Sequence, residues 1–392
     1  MVDMRRLLTR IVLAALLVVL VVYGAGGSYF ASRINSGALA VQHPPDKTVD
    51  VVEVTGGEIT VREKGEDLRG LEADMIYGLA WDGGHGEVHG PPRATSGSDP
   101  DRTQVTRSFR VSDGDPPAAG DVARVDRDVY PPEADLGEVL GTTVDDVEYT
   151  SPAGRFGAWY VPGRGGTWAV FTHGALGSDR SEALRAMQAT VALGMPSLAI
   201  TYRNDIDVPG DESGRYRYGR TEWRDLEGAV RYALDHGAQE VTLVGYSMGG
   251  AITAAFLQHS ELAASVTRVV LDSPMLDLRR SVRHGAEQLQ LPVVGAPPTS
   301  LVRVAERVAA ARYDLDWDAV DYLDDPSWVS VPTLVFHGTD DLRAPLAATE
   351  QLRDTRPGLV TLVVVDGAGH IEAWNSDPQG YQRELTAFLT DS

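Results

Sequence analysis

Three short stretches carry side chains whose types suit nucleophilic catalysis, and they follow one another as Ser, Asp, His. The first is Gly245-Tyr246-Ser247-Met248-Gly249-Gly250. It follows the expected strand Val241-Thr242-Leu243-Val244 and opens an expected helix. This is the strand–turn–helix setting in which a G-x-S-x-G turn strains a serine and projects its hydroxyl. Glycines at 245 and 249 allow close approach of neighbouring backbone. The helix N-terminus offers free N–H groups to a developing oxyanion. A plain Gly-rich turn is the bland alternative; the demanded flanking elements favour the nucleophile.

The second stretch is Val335-Phe336-His337-Gly338-Thr339-Asp340-Asp341-Leu342-Arg343-Ala344-Pro345. Asp340 and Asp341 compete there for the acid that orients a histidine and stabilises its imidazolium. Either could equally be a turn or helix-start aspartate. The third is Asp366-Gly367-Ala368-Gly369-His370, whose histidine suits a general base and then a general acid. Asp341 lies 94 residues after Ser247, and His370 a further 29. The first gap holds two crossover units, or one with an insertion; the second holds one helix and one strand. A fourth stretch, Phe171-Thr172-His173-Gly174-Ala175-Leu176-Gly177, is a loop able to turn an N–H toward the nucleophile. The backbone N–H groups of Ala175 and Met248 form the expected oxyanion hole. His173 reads as a loop-stabilising side chain.

The elements that must position these groups alternate in type. Strands are expected at 147–150, 156–161, 167–171, 197–202, 240–244, 266–271, 333–336 and 360–365. Helices are expected at 181–193, 221–236, 248–259, 346–353 and 378–389. Such alternation implies a mostly parallel sheet covered on both faces, with function at the carboxyl ends of the strands. The four stretches fall there. Residues 274–328 interrupt the alternation with two expected helices, near 278–289 and 301–312. Arg279, Arg280, Arg283, Arg303 and Arg307 make that insertion locally basic. Surface solvation is the first reading of them, and recognition of an anionic substrate the second.

The chain has 392 residues and a formal net charge of −21. That length exceeds what one core usually supports. The charge disfavours a general nucleic-acid binder. Zero cysteines exclude thiol nucleophiles, thiolate zinc sites and iron–sulfur clusters. Arg5, Arg6 and Arg10 precede an uncharged run from Ile11 to Ser32. Its length suits a transmembrane helix, and the basic flank suits a cytoplasmic N-terminus with an external body. Cleavage of a signal peptide near Ala25-Gly26-Gly27, giving a secreted protein, is the rival expectation. The resulting division is 1–34 as membrane anchor, 35–142 as a small acidic β-rich module, and 143–392 as the catalytic region. Residues 41–150 hold 24 acidic and 10 basic side chains, so much of the charge excess sits in the module. Strands are expected there at 49–54, 58–61, 75–81 and 106–111, with turns at Asp82-Gly83-Gly84, Pro91-Pro92 and Pro116-Pro117.

Other clusters read more blandly. His85-Gly86-Glu87-Val88-His89 with Asp82 could hold a metal, but a solvated turn is the better account. Asp205, Asp207, Asp211 and Glu212 lack the EF-hand spacing and read as a solvated loop. Arg215, Tyr216, Arg217, Tyr218 and Arg220 read as packing on the sheet, with substrate contact the alternative.

The motifs His173-Gly174, Gly245 to Gly250, His337-Gly338-Thr339-Asp340-Asp341 with Pro345, and Gly369-His370 resemble those of the α/β-hydrolase superfamily. Within it, the region from about 143 to 391 is most similar to lid-poor hydrolases related to serine aminopeptidases, prolyl-oligopeptidase catalytic domains and monoacylglycerol-lipase-like enzymes. The resemblance implies an α/β-hydrolase fold, with Ser247 as nucleophile, His370 as base and Asp341, rather than Asp340, as the acid. It implies acyl transfer through an acyl-enzyme, with no metal or organic cofactor. The expected activity is hydrolysis of a carboxylic ester by a body tethered to the outer face of the membrane. The expected partners are a small ester or short peptide substrate and the bilayer. A peptidase, amidase or acyltransferase of the same fold is the alternative, and an inactive fold used as an envelope binding module the non-enzymatic one.

Overall fold

A computed structural model describes residues 4–41, 47–63, 69–95, 104–130, 136–205, 208, 210, 212–291 and 295–391. The chain opens with helix α1 (Met4–Ile34), continued by one π-helical turn at Asn35–Leu39. Six strands then form a closed barrel: β1 (Thr48–Thr55), β2 (Glu58–Glu63), β3 (Tyr77–Trp81), β4 (Gly84–Thr95), β5 (Gln104–Gly114) and β6 (Val122–Asp126). Short helix α2 (Arg69–Glu72) precedes β3, and α3 (Leu136–Leu140) leaves the barrel. The order round the ring is β1-β2-β5-β4-β3-β6, with β6 pairing antiparallel to both β3 and β1.

Three of the four strands expected here run longer than their sequence patterns, while the one expected at 75–81 is shorter, at Tyr77–Trp81; β4 and β6 had no expected counterpart. Pro91-Pro92, read as a turn, lies inside β4, where the register with β5 shifts between His89 and Arg93. Proline is tolerated in a strand at such a bulge. His85 to His89, also read as a turn, belongs to the same strand; His85 is buried, with Nδ1 2.9 Å from the Ser112 hydroxyl. Val49, Val51, Ile59, Val61, Leu79, Val88 and Phe109 fill the barrel by inward alternation.

The remaining chain builds an eight-stranded sheet from β7 (Asp145–Ser151), β8 (Gly154–Val161), β9 (Thr167–Thr172), β10 (Ser197–Ile200), β11 (Glu240–Tyr246), β12 (Val266–Asp272), β13 (Thr333–Gly338) and β14 (Val360–Val365). Their order is β14-β13-β12-β11-β9-β10-β8-β7. The strands from β9 onward are parallel; β8 runs antiparallel to β10 and pairs with β7 as a hairpin. The helices are α4 (Leu184–Ala192), α5 (Trp223–Asp235), α6 (Met248–His259), α7 (Leu278–Glu287), α8 (Thr299–Tyr313), α9 (Leu346–Thr355), α10 (Ala373–Ser376) and α11 (Pro378–Thr390).

Successive residues of the central strands feed opposite faces, which is why these strands read as unbroken apolar runs. Val170, Leu243, Val269 and Val335 join one core layer with Leu226, Val230, Ile252 and Phe256. Phe171, Val244, Val270 and Phe336 join the other with Leu184, Met187, Tyr381 and Leu385.

Helices α7 and α8 form the cap insertion, and the second half of α1 packs along α8. Gly26 and Gly27, the small residues read as a candidate cleavage site, mark that contact. A Cβ at Gly27 would lie 2.5 Å from Val304 Cγ1, so any larger residue there would force Val304 or the helices to shift. The Tyr23 hydroxyl lies 2.7 Å from Ser300 Oγ. Among the described residues, no helix is long and apolar enough to cross a membrane. The Ile11–Ser32 run expected to do so includes Ala15, Val18 and Val19, whose side chains lie outside the described set.

Candidate active site

Ser247 sits between the end of β11 and the start of α6, with φ 49° and ψ −113°. A positive φ on a side chain other than glycine is strained. The neighbours hold it there: Ser247 N–H donates to Asp272 O (3.0 Å), and Ser247 O accepts from Met275 N–H (2.9 Å). The turn needs its glycines for closeness, since a Cβ at Gly249 would meet Thr172 O at 2.0 Å.

Ser247 Oγ is 2.8 Å from His370 Nε2, and His370 Nδ1 is 2.8 Å from Asp341 Oδ2. One tautomer satisfies both contacts: Nδ1–H donates to the carboxylate while Nε2 accepts from the serine hydroxyl. Asp341 is buried, and its Oδ1 accepts from the N–H groups of Arg343 and Ala344, each at 2.8 Å. Burial alone would raise its pKa, but His370, then His337 and these N–H donors outweigh it and pull the carboxyl down to about 2. Asp340 makes no such contact; its side chain is exposed and accepts from the Thr339 hydroxyl at 3.3 Å. The geometry therefore brings Asp341, not Asp340, to His370.

Ala175 lines the pocket at Ser247, and Met248 is buried at the start of α6. Neither backbone N–H has an acceptor among the described residues. The neighbouring loop is fixed by Glu182, whose Oε2 accepts from Gly174 N–H (2.8 Å) and whose Oε1 accepts from the Ser178 hydroxyl (3.0 Å). His173 is buried away from Ser247, stacked on Tyr202, with Nε2 2.9 Å from Asp205 Oδ2. Burial opposes its charge, but Asp205 prevails and raises its pKa to about 9.

Several residues at the site had no motif to announce them. Arg127, just past β6, lines the Ser247 pocket and donates from Nη1 to His370 O (3.2 Å) and from Nη2 to Glu182 Oε1 (2.7 Å). Burial works against its charge, but Glu182 and Asp128 outweigh it, so its pKa rises. The Tyr77 hydroxyl of β3 donates to Glu372 Oε1, and Glu372 Oε2 accepts from Gly369 N–H (2.8 Å). Asn375 Nδ2 donates to Ile76 O (2.7 Å) and Arg127 O (2.8 Å). The barrel thus grips the His370 loop from outside. From the cap, His284 Nε2 lies 3.0 Å from Asp341 O. No sequence spacing links these pairs, which lie up to 299 residues apart.

The other candidates fall elsewhere. Arg279 donates to Asp318 (2.9 Å), Arg280 to Gln351 (2.9 Å), and Arg283 makes a forked pair with Glu306 (2.6 and 2.8 Å). Tyr216 and Tyr218 are buried, and the Tyr218 hydroxyl donates to Ala38 O (2.9 Å); Tyr218, unlike the other candidates, also lines the Ser247 pocket. Asp207 and Asp211 lie outside the described residues. Among the described residues no group of three or more His, Asp or Glu side chains is gathered that could hold a metal ion.

A strained serine on a parallel-sheet switch point, a histidine on its hydroxyl and a buried acid behind it define a class. Residues 160–383, more than half of the chain, match the alpha/beta hydrolase family, and the chain belongs to that family of enzymes. An esterase of Pyrococcus furiosus is similar in structure at 18% identity and a TM-score of 0.51, covering 64% of this chain and 94% of its own. An esterase from Rhodococcus sp. is 20% identical with a TM-score of 0.44, covering 63% and 98%. The esterase domain of a Rhodothermus marinus protein is 19% identical with a TM-score of 0.43, covering 63% and 98%. No curated protein matches.

Proposed function

We propose that the protein hydrolyses carboxylic esters through a Ser247 acyl-enzyme. The observation that carries this reading is the unbroken relay from Ser247 Oγ through His370 to Asp341, both links at 2.8 Å. His370 Nε2 takes the hydroxyl proton as Ser247 Oγ attacks the ester carbonyl. The carbonyl oxygen, now negative, faces the N–H groups of Ala175 and Met248. As the tetrahedral intermediate collapses, His370 gives its proton to the departing alkoxide. Water then attacks the acyl-enzyme with His370 again as base, which releases the acid and restores the serine. Asp341 keeps Nδ1 protonated and stabilises the imidazolium throughout.

Labelling of the protein with a fluorophosphonate probe tests this. Labelling that is lost in Ser247→Ala is the expected result; equal labelling of Ser247→Ala by a folded protein would remove the mechanism.

The same reading places the body outside the membrane, held by α1. Its support is the sequence run Ile11–Ser32 behind Arg5, Arg6 and Arg10, together with the exposure of Leu8, Ile11, Val12, Leu13, Leu16, Leu17, Leu20, Val21 and Val22. Apolar side chains standing in water in such number call for lipid. Retention of the protein in carbonate-washed membranes, with the N-terminal residues intact, is expected; release of a shortened chain would replace the anchor by a cleaved signal.

A further inference from the structure

Next to the Ser247 pocket lies a second, larger cavity of about 280 Å³. Its apolar walls include Phe30 and Ile34 of α1, Leu278 and Val282 of α7, and Val302 of α8. Its cationic lining groups are Arg33 and Arg343, and no carboxylate side chain lines it. Leu176, Tyr218, Met275 and Arg343 line both this cavity and the Ser247 pocket, which is itself only about 60 Å³. The two spaces are therefore neighbours across a single layer of side chains.

We propose that this cavity receives the long acyl chain of an ester drawn from a lipid surface, and that α1 supplies one wall of the acyl site. The proposal rests on the esterase reading above and names its substrate class. Three observations favour it. The small pocket at Ser247 fits an ester group but not a long chain, whereas the adjoining cavity is apolar and near the lower end of the size of ligand sites. His370, Ile371 and Arg127 line the Ser247 pocket alone. The leaving alcohol must stay beside His370 to receive its proton, so the part directed past Leu176 and Met275 is the acyl part. Finally, Phe30 follows Val22, the last exposed Val, Leu or Ile of α1, by eight positions, or about 12 Å of helix, and Tyr29 beside it is itself exposed. The cavity thus begins close to where a bilayer surface would end.

Two glycines make the test clean. A Cβ at Gly285 on α7, or at Gly37 just after α1, meets nothing within 4 Å, and both residues line the cavity. Gly285→Phe and Gly37→Phe each add a ring at the cavity lining, one on α7 and one in the turn after α1, at positions where a Cβ clashes with nothing. The full chain, in phosphatidylcholine vesicles, is assayed on p-nitrophenyl butyrate, p-nitrophenyl palmitate and hexadecyl acetate, beside Ser247→Ala. Each methylene left in water costs about a factor of four. The expected result is a fall in kcat/KM for the palmitate of about ten-fold or more in either filled variant, with butyrate within about two-fold of wild type. Butyrate turnover that depends on Ser247, with palmitate turnover unchanged in both variants, would overturn the acyl site while leaving the esterase standing. A loss confined to hexadecyl acetate would overturn it too, by assigning the cavity to the alcohol. Butyrate turnover that survives in Ser247→Ala overturns both readings together.

Discussion

The barrel and the parallel sheet contribute to one site in different ways. The sheet supplies every group placed to react: Ser247 after β11, Asp341 after β13 and His370 after β14. The barrel supplies none, yet Arg127, Tyr77 and the backbone of Ile76 hold the His370 loop and, through Glu182, the Gly174 loop. Ala368, two residues before His370, is packed into the barrel's own core. A reacting geometry can thus be generated by one unit and locked by another. The cost of a small displacement at a reacting group is large, so locking has kinetic value.

The sharpest break in this comparison is within the sheet. Asp341→Asn should lower kcat by roughly 10³-fold or more, because the amide favours the wrong histidine tautomer. Asp340→Asn should leave kcat within about two-fold. Stopped turnover of p-nitrophenyl acetate by each variant checks this, and equal losses would dissolve the assignment.

A smaller effect is expected from the barrel side. Arg127→Ala should reduce kcat by about ten-fold through misplacement of His370 and Ala175. KM for p-nitrophenyl acetate should stay near wild type, and Arg127→Lys should recover part of the loss. A change in KM alone would make Arg127 a substrate contact rather than a positioning residue.

The last effect falls on stability rather than on turnover. Asp272, at the end of β12, is raised from 3.8 to about 7 by burial, with Arg185 only partly offsetting it. An acid held protonated in the folded state contributes stability that is complete below the unfolded pKa and is lost as pH rises through the folded one. The loss should run at up to roughly 1.4 kcal/mol per pH unit between about pH 4 and 7. Asp272→Asn should remove that slope, so thermal unfolding curves of the two proteins should diverge as pH climbs toward 7. Parallel curves would show that Asp272 is ionised in the folded state. Asp341, whose pKa is depressed, has the opposite sign: its contribution is present above about pH 4 and disappears as pH falls toward 2.

What could be read from the sequence follows the same division. The parallel strands announce themselves because burial on both faces demands apolar runs such as Val360–Val365. The helix Met248–His259 is legible from the glycine-rich turn before it. Ser247 and His370 were legible because a local turn positions each. The choice between Asp340 and Asp341 needed either a resemblance or coordinates, since adjacent residues share every sequence signal. Four of the six barrel strands were legible, while β4 and β6 were not, and the ring was not: the β1–β6 pairing joins Thr48 to Arg124, and no local pattern encodes such closure. Arg127 and Glu372 were silent for the same reason. Each is an ordinary charged residue until a distant segment folds against it.

The closure of the barrel has one further consequence. Among the described residues each of the six barrel strands pairs with a neighbour on both sides, which leaves little free backbone edge for strand addition by an extended peptide or a second copy. Whatever touches the acidic module does so mainly through side chains and loops. The open sheet has two edges, β7 and β14, and the more apolar is β14, whose sequence Val360-Thr361-Leu362-Val363-Val364-Val365 pairs on one side with β13 and leaves Val364 open to solvent. A lysine at Val364 is where solubility in concentrated preparations would be gained.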